Sequence, residues 1–467
     1  MERAMANVDL GPYRRIVQMF WDPEPTNDVA HDQPVWCLGR SYRISDRKIP
    51  KDDDHEPQTP PSAPKVEAEA EAEAQEGPEI ARPPNPPTNA PATPPDSTSS
   101  SFSSSLAYDD PASDGGWPNG FINDFESKIW MTYRSEFEPI PRSTNPQATS
   151  ALSLSMRLKS QLGDQSPFSS DSGWGCMIRS GQSLLANAIA MVRLGRDWRR
   201  GESIEEECRI LKDFADDPRA PYSIHSFVRH GASACGKYPG EWFGPSATAR
   251  CIQALTNSHE SSIRVYSTGE GPDVYEDEFM TIAKPSGEDF HPTLVLVGTR
   301  LGIDKITHVY WEALIAALQM PQSVGIAGQV LPSHHTHPFG RPSSSHYFIG
   351  AQGSFLFYLD PHHTRPALPY HEDPAEYTSE EIDSCHTPRL RRIHVREMDP
   401  SMLIGFLIQN EDDWQELKRR VKHVQGKSII HIAERNAVLG GSSEGRESAI
   451  DEVETLSDDD ADTIHEA

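Results

Sequence analysis

Two glycines bracket Trp174 in the run Ser172-Gly-Trp-Gly-Cys176-Met-Ile-Arg-Ser-Gly-Gln182, and this run limits the fold more than any other. Glycine frees the backbone before Cys176 for a tight, exposed turn. From Gln182 onward Leu184, Leu185, Ala188, Ile189 and Val192 recur at helical spacing, so an amphipathic helix follows at once. The chain must therefore place a tight turn directly before an amphipathic helix. Cys176 then sits near that helix N-terminus, where the positive end of the macrodipole favours thiolate over thiol. The plain alternative is a buried structural cysteine. Turn followed by helix is nevertheless the context a nucleophile needs.

A nucleophilic cysteine requires a base, and the base requires an orienting group. Phe355 to Leu359 read as a buried strand of aromatic and apolar residues, ending in Asp360-Pro-His362. Residues two apart on a strand share a face, so Asp360 and His362 can lie side by side at its end. Pro361 has no amide hydrogen and stops the strand there. A second candidate base is His346, which opens the strand-like run His346-Tyr-Phe-Ile-Gly350. That run would pair antiparallel with the strand ending at Asp360. Spacing alone leaves both histidines open.

The run Asp171 to Gln182, with Tyr358-Leu-Asp-Pro-His362, resembles the autophagin family, the autophagy-related cysteine proteases of peptidase family C54. Further matches are Pro34-Val-Trp-Cys-Leu-Gly-Arg40, Trp130-Met-Thr-Tyr-Arg134, Glu241-Trp-Phe-Gly-Pro245, Met320-Pro-Gln-Ser323, Ser345-His-Tyr-Phe-Ile-Gly350, Asp399-Pro-Ser401 and Glu411-Asp-Asp-Trp414. They cover most of residues 116–425 and the segment around Trp36, and suggest a fungal member. The resemblance implies a papain-like α+β fold with a small inserted subdomain. It implies a triad of Cys176, His362 and Asp360, favouring His362 over His346. It implies that Tyr133 helps the nucleophile's amide stabilise the oxyanion, and that Trp242 covers the substrate groove. It further implies that the substrate is a ubiquitin-like autophagy modifier. The precursor would be trimmed to its C-terminal glycine, and the modifier later released from phosphatidylethanolamine. No cofactor is implied. The expected enzyme is a cytoplasmic monomer recruited to the preautophagosomal structure, with the nucleus as a further location.

One segment departs from the family pattern. Between Gly325 and Ser345 the chain is longer than the usual loop and carries His334, His335 and His337. Histidine tracts bind metal, but no cysteine lies nearby, so a solvated loop with no metal is expected over 326–344.

Composition bounds the rest. Among 467 residues there are 40 prolines, a density that places much of the chain outside any core. Residues 1–50 form an N-terminal segment partly packed on the catalytic domain. Residues 51–115, with proline clusters, a Glu-Ala repeat and a serine run, cannot bury a core and read as a disordered linker. Residues 116–425 form the catalytic domain, and 426–467 read as an acidic disordered tail. Six scattered cysteines form no disulfide framework. A net charge of −27 argues against nucleic acid as a partner. No apolar run reaches membrane-span length; the resemblance implies that a membrane surface is met only through the lipidated substrate. Near the N-terminus, Tyr13-Arg-Arg-Ile16 fits a short docking motif for the modifier.

Within the core, the four-residue spacing of Phe125, Ile129, Tyr133 and Phe137 predicts a helix from Asn123 to Phe137. Helices are likewise predicted over Ile204 to Phe214 and Asp304 to Leu318, with Met320-Pro321 ending the latter. A short buried strand is predicted at Leu294 to Val297. Helices beside an antiparallel sheet give an α+β layout.

Overall fold

Along the strand Thr293–Arg300 successive side chains divide between two cores: Leu294 and Leu296 face one, Val295 and Val297 the other. This alternation, with both faces apolar, dictates a sheet covered on each side. The computed structural model describes residues 24–27, 33–44, 115–145, 147–148, 152, 166–259, 262–285, 287, 289–331 and 344–435. Its main sheet runs, edge to edge, through strands Arg392–His394, Phe355–Leu359, Ser344–Gln352, Ser323–Val330, Met398–Ile408, Thr293–Arg300 and Arg264–Ser267. All neighbours are antiparallel except the last pair, which is parallel. The strand Val35–Cys37 joins Ser344–Gln352 and carries Arg40–Tyr42 with it.

The helix Cys176–Arg193 lies on one face, flanked by Ile204–Asp213, Ile224–Ala234 and Pro245–Ser258. Helices Glu276–Ala283, Trp311–Gln319 and Glu411–Lys422 cover the other. On that second face Trp414 is fully buried, stacks on Phe279 at 4.1 Å, and donates its indole hydrogen to Glu276 at 2.8 Å. Truncating a side chain so placed costs about 3–5 kcal/mol. The architecture is α+β, as the sequence predicts.

Four local expectations change. The helix predicted over Asn123 to Phe137 stops early: Asn119–Glu126 is helical, residues 129–133 are neither helix nor strand, and Arg134–Ile140 is a strand. Phe125, Ile129, Tyr133 and Phe137 are all buried, but the backbone donors go to tertiary partners. Trp130 N bonds Cys385 O at 2.7 Å, Tyr133 N bonds Pro361 O at 2.9 Å, and Arg134 N bonds Asp171 at 2.7 Å. Apolar spacing does not require a helix, and these bonds draw the amides away from one. The helix predicted from Asp304 begins only with a 3-10 turn at His308–Tyr310, because Thr307 N instead closes a loop onto Leu301 O.

The segment 326–344, read as a loop, is strand up to Val330, which pairs with Ser344. Residues 332–343, with His334, His335 and His337, lie outside the described residues, as do Tyr13–Ile16 and residues 51–114 of the linker. The tail placed from 426 also starts later. Ile429 and Ile430 are buried, and His431–Ala433 pairs in parallel with Asp273–Tyr275. A short isoleucine run inside a polar stretch is enough to dock. No helix among the described residues is long and apolar enough to cross a membrane.

Candidate active site

The turn before Cys176 is built from below. Gly173 takes φ +91°, a backbone setting that side chains rarely adopt. A Cβ on Gly175 would lie 2.5 Å from the Asp171 carboxylate. Trp174 between them is fully buried, tilts against Phe168, and donates its indole hydrogen to Ser170 O at 3.1 Å. Asp171 accepts from Arg134 N at 2.7 Å and from Arg179 Nε at 2.6 Å, while Arg179 also reaches Asp216 at 2.8 Å. A buried ionic cluster thus fixes the turn to the first turns of the Cys176 helix. Losing one partner of such a cluster typically costs about 3–5 kcal/mol.

Cys176 opens the helix and is 4 % exposed. Burial pushes the thiols of Cys37, Cys208, Cys251 and Cys385 up, Cys37 to about 12. At Cys176 burial acts the same way but is outweighed. A hydrogen bond and positive charge from His362, the Ser345 amide and the Tyr133 hydroxyl together hold the thiol below its ordinary value. The His362 Nδ1 lies 2.6 Å from Asp360 Oδ1, and its backbone amide donates to the same oxygen at 3.0 Å. Burial disfavours the imidazolium, yet Asp360 and Cys176 on its two sides raise it to about 9. Asp360, half-buried, is held far below the usual carboxylate range chiefly by His362 and His346, against the desolvation that would raise it. Imidazole and carboxylate share a charge-assisted hydrogen bond, and the same imidazole is the strongest influence lowering the Cys176 thiol.

His346 stands beside this chain and outside it. Its Nδ1–H donates to Ser344 O at 2.9 Å, and its Nε2 is 3.6 Å from Asp360 Oδ1, beyond hydrogen-bond range. Burial lowers it to about 4, so it is neutral at physiological pH. Of the two histidines that spacing left open, His362 is the one in contact with both cysteine and aspartate.

The Asp360-Pro-His362 turn is held by its main chain. Trp130 Nε1 donates to Asp360 O at 2.9 Å, and Thr132 Oγ1 donates to Pro361 O at 2.8 Å and lies 2.5 Å from His363 O. Tyr133 is 6 % exposed, and its ring meets His362 edge-on at 5.3 Å while its hydroxyl bonds Cys176. Trp242 is placed differently. It is half-buried at the rim of the core shared with the Cys176 helix, and its Nε1–H is buried without an acceptor. Among the described residues no hydrogen bond or ring contact joins it to the triad.

Sequence reasoning gave no role to Asp171, Arg179, Asp216 or Thr132. Arg179 carried a signal: a charged residue in the first turns of a buried helix needs a buried counter-ion.

The peptidase C54 catalytic domain model matches residues 118–420. The chain is 87 % identical to "Cysteine protease ATG4" of Gibberella zeae over 100 % of both chains. It is 60 % identical to "Probable cysteine protease atg4" of Sclerotinia sclerotiorum, covering 98 % of this chain and 99 % of that one. With "Cysteine protease 1" of Neurospora crassa the identity is 55 %, over 96 % and 90 %. A depressed thiol on a helix N-terminus, joined through imidazole to a carboxylate, is thus found in a chain that belongs to the peptidase C54 family of papain-like cysteine peptidases.

Proposed function

We propose that this peptidase cleaves after the C-terminal glycine of a ubiquitin-like autophagy modifier, trimming the precursor and later freeing the modifier from phosphatidylethanolamine. The observation that carries this is the contact chain Cys176–His362–Asp360, set in a sequence 87 % identical over full length to a protein named as an ATG4 protease. Cys176 thiolate attacks the glycine carbonyl carbon. The Tyr133 hydroxyl and the Cys176 amide, first N–H of its helix, donate to the resulting oxyanion. Collapse breaks the C–N bond, and His362 gives its proton to the departing amine. Water then attacks the thioester while neutral His362 accepts its proton, and the thiolate leaves. Asp360 keeps the ring oriented throughout.

The acyl half is the same for a peptide or a lipid amine, so one site serves both cuts and needs no cofactor. Trp242 and the segment after Gly325 are assigned to admitting a thin, extended C-terminal tail. The enzyme is placed in the cytoplasm as a monomer, reaching membranes through its lipidated substrate at the preautophagosomal structure, and it also enters the nucleus.

The test is incubation of the purified chain with modifier precursor and, separately, with modifier conjugated to phosphatidylethanolamine in liposomes. Both should be cleaved by the native chain and neither by Cys176→Ala. Cleavage of ubiquitin-terminated substrates in preference would overturn the substrate assignment and leave the peptidase standing.

A further inference from the structure

His346 is buried in the site, yet the triad does not use it. Its Nδ1 faces the Ser344 carbonyl, which can only accept, so the ring hydrogen is on Nδ1 and Nε2 carries a bare lone pair. That lone pair faces Asp360 Oδ1 at 3.6 Å, and a carboxylate oxygen has no hydrogen to offer either. Two electron-rich atoms therefore confront each other, with the His362 Nδ1 on the third side. One atom each from His346, Asp360 and His362 lie within 4.8 Å of one another. Neighbouring rings hold them there: His346 meets Tyr358 at 4.7 Å and His362 at 5.0 Å.

We propose that His346 Nε2, Asp360 Oδ1 and His362 Nδ1 form an inhibitory binding site for zinc. Two imidazoles and a carboxylate are a zinc donor set, and a tetrahedral ion leaves its fourth position to water. Bonds of about 2.0–2.2 Å put tetrahedral donors about 3.3 Å apart. The His346–Asp360 separation of 3.6 Å is close to that. The His362–Asp360 separation of 2.6 Å must widen as the ion replaces the Nδ1 proton, which passes to solvent. Cys176 stays on the opposite nitrogen of His362 and is not a ligand. With the ion on Nδ1 and the thiol on Nε2, the ring can no longer shuttle a proton, and turnover stops. That inhibitory consequence rests on the thiol-protease reading of the triad, whereas occupancy of the site does not.

Binding is measured without substrate, on the full chain with His334, His335 and His337 replaced by glutamine so that this tract cannot compete. Zinc affinity comes from competition with a chromophoric chelator. The expected result is one equivalent bound, with affinity unchanged within about threefold in Cys176→Ala and weakened at least tenfold in His346→Gln. Cobalt substituted into the Cys176-containing protein should give tetrahedral bands without a thiolate charge-transfer band, a readout that needs no change at His346. Inhibition of precursor cleavage by zinc should shift to at least tenfold higher concentration in His346→Gln. A thiolate band, loss of binding in Cys176→Ala, or unchanged affinity in a folded His346→Gln would each overturn the proposal.

Discussion

Replacing His362 by alanine removes from Cys176 both the hydrogen bond and the positive charge that oppose its burial. What remains is a thiol 4 % exposed, with burial as the largest influence and only the Ser345 amide and Tyr133 hydroxyl against it. An unassisted cysteine is ionised to a few per cent at pH 7, and burial lowers that further. The native thiol, held below its ordinary value, reacts through a larger thiolate fraction at the same pH. The assay is the rate of Cys176 carboxamidomethylation from pH 5 to pH 10, read by mass spectrometry. Native protein should keep most of its high-pH rate near neutrality. His362→Ala should fall at pH 7 to about a few hundredths of its own high-pH rate, as an ordinary thiol does. His346→Ala should track the native curve, because His346 is neutral and makes no contact with sulfur. In precursor cleavage His362→Ala should lose on the order of a thousandfold or more. The reasoning fails if His362→Ala keeps the native alkylation profile while His346→Ala loses it, both variants melting as the native chain does.

Three further outcomes are expected. Cleavage should decline as pH rises through about 9, because the raised His362 is protonated below that value and loses above it the proton needed by the leaving amine; a pH–rate profile flat to pH 10 would contradict this. Gly175→Ala, whose Cβ would meet Asp171 at 2.5 Å, should cost about 1–3 kcal/mol in denaturant unfolding and slow cleavage with little effect on KM. Thr132→Val removes a hydroxyl shared by Pro361 O and His363 O and should cost about 1–3 kcal/mol with a lower kcat, while Thr132→Ser restores both.

The sequence showed the elements whose pattern is local and lost those decided by distant partners. Phe355–Leu359 and the helix after Cys176 were legible because burial and periodicity agree within one segment. The stretch 130–137 was not, since its apolar residues fit a helix while its amides bond Cys385, Pro361 and Asp171. The turn geometry around Cys176 was visible in its glycines, but the carboxylate that forces glycine at 175 was not. Spacing brought both His346 and His362 near Asp360, and only three-dimensional contact separates the one at 2.6 Å from the one at 3.6 Å. The burial of Ile429 and Ile430 was hidden by the polar residues around them.

The strand at the centre of the sheet, Met398–Ile408, is made after every other strand of that sheet. It joins Thr293–Arg300 on one side to Ser323–Val330 on the other, and without it the sheet is two unconnected pieces. Synthesis proceeds from the N-terminus, so Cys176 leaves the ribosome long before the sheet that completes its surroundings can close. A protease assembled in this order is latent during translation. The thiol cannot be activated until Asp360 and His362 have emerged, and the part of the sheet that carries them is not joined to Thr293–Arg300 until the central strand is inserted. Truncated products ending before residue 398 should therefore be inert, which spares nearby nascent proteins from a half-made enzyme.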